Sequence, residues 1–538
     1  MSNTRIWKWC GYAALVWALA AAMQAQTYSV LYNFGDVFND AGFPQDSGII
    51  AQGRDGNLYT TTPYGGANNV GTVIKITPAG QVTVLYNFNN ADPDEAYPFS
   101  GLTLGTDGNF YGATLGALDT SGGKVFQVTP TGEVTFLHTF VPAEGRQPYA
   151  PPIQGADGYF YGTTTGGGAS GYGTVYRMTP FGQFKTIGSF NFTNGYHPLS
   201  PLVEGSDGNF YGTTWEGGTN GVGTVFRITT KGKITTMHNF DWSDGAYTHA
   251  PLVQGSDGNL YGVGDAGGAS GFGTIFRVST KKTFKVLHSF SASDGEYSSA
   301  GLLLGSDGNF YGSTVGASNF GAIYRVTPGG DFSVLHAFDL THGANPQVTL
   351  TQHTTGILYG ETFNGGTHDR GTVYSLNAGL PPFAELVPRS GKVGDKIAIL
   401  GQGLSNATAV SFNGTPTIFA VGPDTWLVAN VPDGAKTGPV TVTTAAGNLV
   451  SNRDFLVTPV ITSFNPSRGP VGIQVNITGV SLAQTTAVTF GTKAASFTVN
   501  SDHQVTAIVP AKTKSGKISV TTAGGVAISS TRLRSRPK

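Results

Sequence analysis

The sequence predicts an all-β chain: a seven-bladed β-propeller closed by its own N-terminal strand, followed by two immunoglobulin-like β-sandwiches. Three observations predict it. A Tyr, followed by Gly in every copy but the first, recurs at Tyr59, Tyr111, Tyr161, Tyr211, Tyr261, Tyr311 and Tyr359, in steps of 52, 50, 50, 50, 50 and 48 residues. A strand-like segment ending in Phe also recurs seven times, at Phe34, Phe88, Phe140, Phe190, Phe240, Phe290 and Phe338. Finally, the 538 residues include 79 glycines but only 12% charged side chains, a turn-rich composition that lacks the Glu, Lys and Arg of helix surfaces.

Residues 1–25 read as a secretory signal. Arg5 and Lys8 precede an apolar run from Tyr12 to Ala22, with small residues at Ala20, Ala22 and Ala25. Cleavage is expected after Ala22 or Ala25. Cys10, the only cysteine, precedes that run, so the mature chain is expected to have no disulfide, thiolate metal site or cysteine nucleophile. No later stretch is long and apolar enough to span a bilayer.

One repeat, Ala250 to Phe290, shows how a blade is written. "PLVQG" is the first strand, and "SDGN" turns the chain into "LYGVG", the second. The Gly-rich "DAGGASGFG" leads to "TIFRVST", and a short turn leads to "TFKVLHSF". Asp-Gly between two extended runs is a hairpin signal, because glycine accepts the positive φ of a tight turn. Asp107-Gly108, Asp157-Gly158, Asp207-Gly208, Asp257-Gly258 and Asp307-Gly308 are therefore turn residues. A calcium loop needs several carboxylates close together, and each turn supplies one.

The first Phe-ending strand, "YSVLYNF" from Tyr28, precedes any first strand, and the last repeat, ending "GTVYSLNAGL", lacks a fourth. Seven blades result only if the N-terminal segment completes the last one, which leaves no free edges. The propeller is thus expected over residues 26–380.

Two smaller units follow, over 381–458 and 459–538. Pro388, Gly391, Gly394, Gly401, Phe412, Pro432 and Gly438 reappear 78 positions later at Pro466, Gly469, Gly472, Gly479, Phe490, Pro510 and Gly516. Alternation in "KIAILGQG" and "QVNITGVS" fits sandwich strands. A solvated basic tail and an irregular final edge are expected at "RLRSRPK". The net charge of −1 conceals an asymmetry: 15 Lys and Arg against 26 Asp and Glu over 26–380, then 14 against 6 over 381–538. The positive charges after Leu380 are scattered, and with a secretory signal they do not indicate nucleic acid.

The 50-residue unit, as in "SDGNFYGTTWEGG" from Ser206 and "GTVFRITTKGKITTMHNF" ending at Phe240, resembles the GloVer tandem repeat of secreted bacterial proteins. That resemblance implies an exported, propeller-like protein and no particular activity. The 78-residue units resemble IPT/TIG domains through "PRSGKVGDKIAILGQGL" and "PSRGPVGIQVNITGVSL". This implies an immunoglobulin-like fold, commonly a surface or spacer module in bacteria. "DGNFYG" also resembles the "DGN" strands of streptogramin-lyase-like propellers, whose "WFTE" continuation is absent here.

In such a blade the 1–2 and 3–4 turns share one face of the disc. The 2–3 loops and blade-to-blade connections share the other, and recognition is expected on those longer, more varied loops. That face should carry Tyr97, Tyr149, Tyr196, Tyr247 and Tyr297, with Trp242, Asp241, Asp244, Asp294, His197 and His249 from the connections and Trp215 from a Gly-rich loop. Each Tyr has an alternative reading as packing between blades. His138, His238, His288 and His336 fall in equivalent positions of different blades, too far apart to share one metal ion, and are read as packing residues. Arg177, Arg227, Arg277 and Arg325 are read as structural. Asp241/Asp244 and Asp92/Glu95 are acidic pairs available for acid–base chemistry. There is no HExxH, Walker loop or GxSxG elbow.

The leading expectation is therefore a secreted or cell-surface, non-catalytic binding or scaffold protein. It would be monomeric, with no cofactor, metal or catalytic residues, and would present a glycan- or protein-binding loop face. The alternatives are a propeller lyase or hydrolase acting on a glycan or small secreted compound, and a purely structural envelope repeat protein.

Overall fold

The computed structural model describes residues 26–36, 40–44, 48–116, 122–316 and 319–536. The expected signal segment, with Cys10, lies outside the described residues, as does Lys538. Seven four-stranded antiparallel sheets succeed one another along the chain and form the blades. Blade 4 runs from inside outward through Val203–Glu204, Phe210–Thr214, Thr224–Ile228 and Ile234–Asn239. Its second strand is wholly buried, because both of its faces pack on neighbouring blades.

The ring closes as the sequence predicts. Thr27–Asn33 is the outer strand of blade 7, antiparallel to Thr372–Asn377, with Thr27 opposite Asn377 and Asn33 opposite Thr372. The Phe34 amide extends the ladder by donating to the Gly371 carbonyl at 3.1 Å.

Four repeated devices hold the blades. The "SDGN" turn is locked by its own aspartate: Asp207 Oδ1 accepts the Asn209 amide at 3.1 Å, while Oδ2 accepts Asn209 Nδ2 and the Tyr211 hydroxyl, both at 2.8 Å. Gly208 takes φ 71°, and a Cβ on Gly205 would stand 2.7 Å from the Tyr211 ring. The second-strand Tyr then lies against the Phe of the next blade, as in Tyr161–Phe210 at 4.0 Å and Tyr59–Phe110 at 4.1 Å.

The other two devices also cross between blades. Inner-strand Gln side chains accept turn amides of the preceding blade: Gln254 from Ser206 at 3.0 Å and Gln352 from Ser306 at 2.8 Å. Glu204 does the same for Ala156 at 3.0 Å. On the outside, His138, His238 and His288 stack flat on Phe184, Phe284 and Phe332 at 3.9, 3.6 and 4.0 Å. His336 meets Tyr28 of the closing strand in the same way at 3.8 Å. The four histidines are packing residues, each in its own blade.

Two β-sandwiches follow. In the first, Glu385–Val387, Lys396–Leu400, Trp426–Asn430 and Phe419–Val421 form one sheet, and Thr415–Pro416, Ala409–Phe412, Val440–Thr444 and Gly447–Val450 the other. Between them Ile397, Ile399, Phe412, Leu427 and Phe455 are buried. The second sandwich has the same strand order around Val475, Ile477, Phe490 and Val505. Its final edge is irregular, with a register shift between Lys517 and Ser519 in the last strand pair. Gly525–Arg536 is a continuous strand that pairs with Gly516–Thr522 and, in parallel, with Arg468–Pro470. The basic segment is thus sheet through Arg536, its backbone paired by the ladder while the Arg532 and Arg534 side chains stay exposed to solvent.

The first sandwich sits on the propeller face that carries the "SDGN" turns. The Thr425 hydroxyl donates to the Arg54 carbonyl at 2.6 Å, and Arg54 lies 4.9 Å over the Trp426 ring. Gln402 Nε2 donates to Thr354 Oγ1 at 3.1 Å, the Phe383 amide to the Thr354 carbonyl at 3.1 Å, and Arg389 to the Glu204 carbonyl. The loop-bearing face of the disc lies on the opposite side.

Candidate functional site

On that face the blade connections and the 2–3 loops meet, as predicted, through isolated bridges such as Arg146–Gly166, Tyr196–Glu216 and Ala246–Ala266. Among the described residues, each connection contains one non-glycine residue in the left-handed region: Phe43, Tyr97, Gln147, His197, Tyr247, Tyr297 and Asn345, with φ between 51° and 61°. Tyr97, Tyr247 and Tyr297 thus share one structural position, whose occupant in the connection before blade 4 is His197. Tyr196 stands one residue before that position and Tyr149 two residues after it, so the five tyrosines are not equivalents.

Blades 3 to 5 bring the predicted aromatics together. Tyr196 stacks on His197 at 3.5 Å, and His197 on Trp215 at 5.9 Å. Trp215 lies 5.7 Å from Tyr247 and 5.4 Å from His249, and Tyr247 meets Trp242 edge-on at 5.6 Å. Sequence reasoning missed the other end of the strip: Tyr172 packs at 5.0 Å on Tyr196 and at 6.0 Å on Phe192. Six consecutive ring-to-ring steps of 3.5–6.0 Å therefore run from Phe192 to Trp242. The two ends are open, with Phe192 44% and Trp242 54% exposed, while the middle is half-buried.

Polar groups border the strip. Asp265, missed by the sequence reading, is buried and its Oδ2 accepts from His249 Nδ1. Glu216 and the exposed Arg146 lie beside Tyr196 and His197. Burial, helped by the Arg146 charge, holds the His197 imidazole below its usual range and therefore neutral at pH 7. The sequence signal that could have found these residues is departure from the repeat. Where blade 4 has Trp215, the other blades have Pro63, Leu115, Thr165, Asp265, Val315 and Phe363.

The remaining predicted residues stand apart. Tyr97 packs on Tyr64 at 5.8 Å, Tyr149 on Phe99 at 5.2 Å, and Tyr297 on Phe272 at 5.9 Å. Asp244 and Asp294 bond the stacked His238 and His288 at 2.8 and 3.1 Å. Asp241 caps its own turn through the Ser243 amide at 2.8 Å and the Ser243 hydroxyl at 2.5 Å. Asp92 and Glu95 pair with Lys124 at 2.6 and 3.2 Å. These carboxylates already have structural work. Among the described residues, Asp433, Asp502 and His503 bring potential metal-ligand atoms within 4.8 Å of one another between the two sandwiches; Asp433 and His503 are solvent-exposed.

The family model of the Gloeobacter/Verrucomicrobia repeat matches residues 17–151, 104–316 and 147–374. The chain belongs to this repeat family. Its second sandwich matches the IPT/TIG domain model over residues 459–535. No curated protein matches this repeat protein. Among solved structures, it is similar to a fungal alcohol oxidase in complex with copper, at 14% identity, 80% of this chain and 100% of that one, with TM-score 0.45. A gluconolactonase of Xanthomonas campestris follows at 13% identity, 68% and 93% coverage, and TM-score 0.36. A surface glycan-binding protein of Prevotella bryantii has 16% identity, 27% and 38% coverage, and TM-score 0.22. The chain spans 38% of that protein and 46% of a counterpart from Bacteroides uniformis. At these scores the ligand question rests on the repeat protein's own side chains.

Proposed function

We propose that this is an exported, non-catalytic binding protein of the cell envelope or its surroundings, whose loop face holds a polysaccharide chain along the aromatic strip of blades 3 to 5. The observation that carries the reading is the break in repetition. No other repeat places a Trp at the position of Trp215 or of Trp242, and both stand on the loop-bearing face opposite the sandwich. Packing needs alone would recur in every blade; these rings do not. The apolar face of a pyranose ring packs on an aromatic ring, while bordering groups such as Glu216 and Arg146 reach its hydroxyls.

The test is affinity electrophoresis and calorimetry of the mature protein with a panel of soluble polysaccharides. Trp215→Ala and Trp242→Ala are each expected to weaken retention by at least tenfold, with thermal stability nearly unchanged for the exposed Trp242. No retention on any polysaccharide, or retention indifferent to both substitutions, would overturn the proposal.

A second reading has one observation in its favour: Asp265 orients the His249 imidazole beside Trp215, an arrangement suited to general-base chemistry on a bound sugar. Polysaccharide cleavage by the protein that disappears in His249→Ala, with binding retained, would establish it.

A further inference from the structure

The seven inner strands surround a cavity of about 410 Å³, within the range of small-molecule sites. Its wall is largely aliphatic, with Ile153, Val203, Val253 and Leu303 contributed by successive blades. One end is stoppered by the first sandwich through Leu386, Val387 and Pro388. At that end stand four ionisable residues in two loose pairs: Glu204 with Arg389, and Glu385 with Arg453.

These pairs are not closed ion pairs. Arg389 spends its hydrogen bond on the Glu204 carbonyl, and the Glu204 carboxylate is turned to the Ala156 amide at 3.0 Å. Among the described residues, Arg453 makes no side-chain hydrogen bond and has no carboxylate within 4.0 Å, although it lines the cavity beside Arg389. Burial pushes Glu204 and Glu385 up to about 7, so their negative charge is weakened near neutral pH. Burial, then repulsion from Arg389, lowers Arg453 to about 10, which still leaves it charged at pH 7. Arg453 is half-buried and faces the cavity with no carboxylate of the protein on it, and a planar carboxylate answers such a guanidinium with two charge-assisted hydrogen bonds.

We propose that the central channel binds an amphipathic carboxylate, with its apolar body between the inner strands and its head group on Arg453 at the end closed by the sandwich. The site is separate from the aromatic strip, and its ligand is a small organic acid rather than a polysaccharide.

Calorimetric titration of the mature full-length protein with decanoate and with decan-1-ol tests this. One saturable decanoate site is expected, with decan-1-ol at least tenfold weaker because it leaves Arg453 unpaired. Arg453→Gln should weaken decanoate at least tenfold, and Val203→Phe, which narrows the channel, should also weaken it. Polysaccharide retention should be unchanged in both variants. The absence of a saturable decanoate site, equal affinity for acid and alcohol, or unchanged affinity in Arg453→Gln would overturn the proposal. The acid–alcohol comparison uses the unaltered protein and stands even where a variant fails to fold.

Discussion

Replacing Glu361 should stabilise the protein, and more so as pH rises. Glu361 lies in the second strand of blade 7 with no exposed surface, and among the described residues neither carboxyl oxygen has a hydrogen-bond partner. The corresponding residues are Thr61, Thr163, Thr213 and Ser313 in four of the other blades, and Ala113 and Val263 in the remaining two. The hydroxyls donate to carbonyls of the next connection: Thr61 to Pro98 at 2.6 Å, Thr213 to Ala250 at 3.2 Å and Ser313 to Pro346 at 3.2 Å. Burial raises the Glu361 carboxyl from 4.5 to about 8. The folded state therefore holds this proton more tightly than the unfolded chain does. The side chain costs least below pH 4.5, and its penalty grows as pH rises towards 8 and is then constant. The ceiling is on the order of 5 kcal/mol at pH 9, from the rise of 4.5 to about 8 at about 1.4 kcal/mol per unit. For a domain this large that is about 5–10 °C in Tm. Melting curves of wild type, Glu361→Thr and Glu361→Gln between pH 4.5 and 9 provide the assay. The gap between Glu361→Thr and wild type should widen with pH, and Glu361→Gln should remove the pH dependence without restoring the hydroxyl bond. A gap that does not change with pH would refute the reasoning.

Three further outcomes can be checked by the same melts. His238→Ala removes a flat stack on Phe284 and the bond to Asp244, and should cost about 1–3 kcal/mol, a loss that His238→Phe partly restores. Asp207→Ala releases the Asn209 amide and the Tyr211 hydroxyl together and should cost about 1–3 kcal/mol, without altering polysaccharide retention on the opposite face. Deleting residues 27–33 strips the outer strand from blade 7 and exposes the ladder of Thr372–Asn377; loss of the cooperative melt and concentration-dependent association, seen by light scattering, are expected.

Much of the fold could be read from the chain because a repeated unit states its own period. The Tyr and Phe series each count seven, and their offset by one strand reveals the closure between Thr27–Asn33 and Thr372–Asn377. The Asp-Gly turns were legible as local chemistry. What they bind was less so: the Asp207–Tyr211 bond joins residues close in sequence, whereas the His238–Phe284 stack crosses between blades. The candidate site was legible only in part. Aromatic content pointed to Trp215, Trp242, Tyr196 and His197, but the left-handed residue in each connection fixes the alignment, and composition does not disclose backbone angle. Asp265 and Glu361 carry no local signal beyond being a carboxylate where neighbouring repeats have none. The seating of the first sandwich over the channel depends on contacts such as Thr425 with Arg54, separated by 371 residues.

The closure has a consequence for the order of events during biogenesis. The strand that emerges first has its partner in the last repeat to be synthesised, so its pairing waits until nearly the whole ring has been made. Until then the nascent disc has an unpaired outer lip at one end and an unfilled sector at the other. A chain arrested before Thr372 would retain both, exposing sticky backbone that the finished molecule hides. Quality control thus follows from topology: only a chain read to its final repeat can lose its adhesive rims.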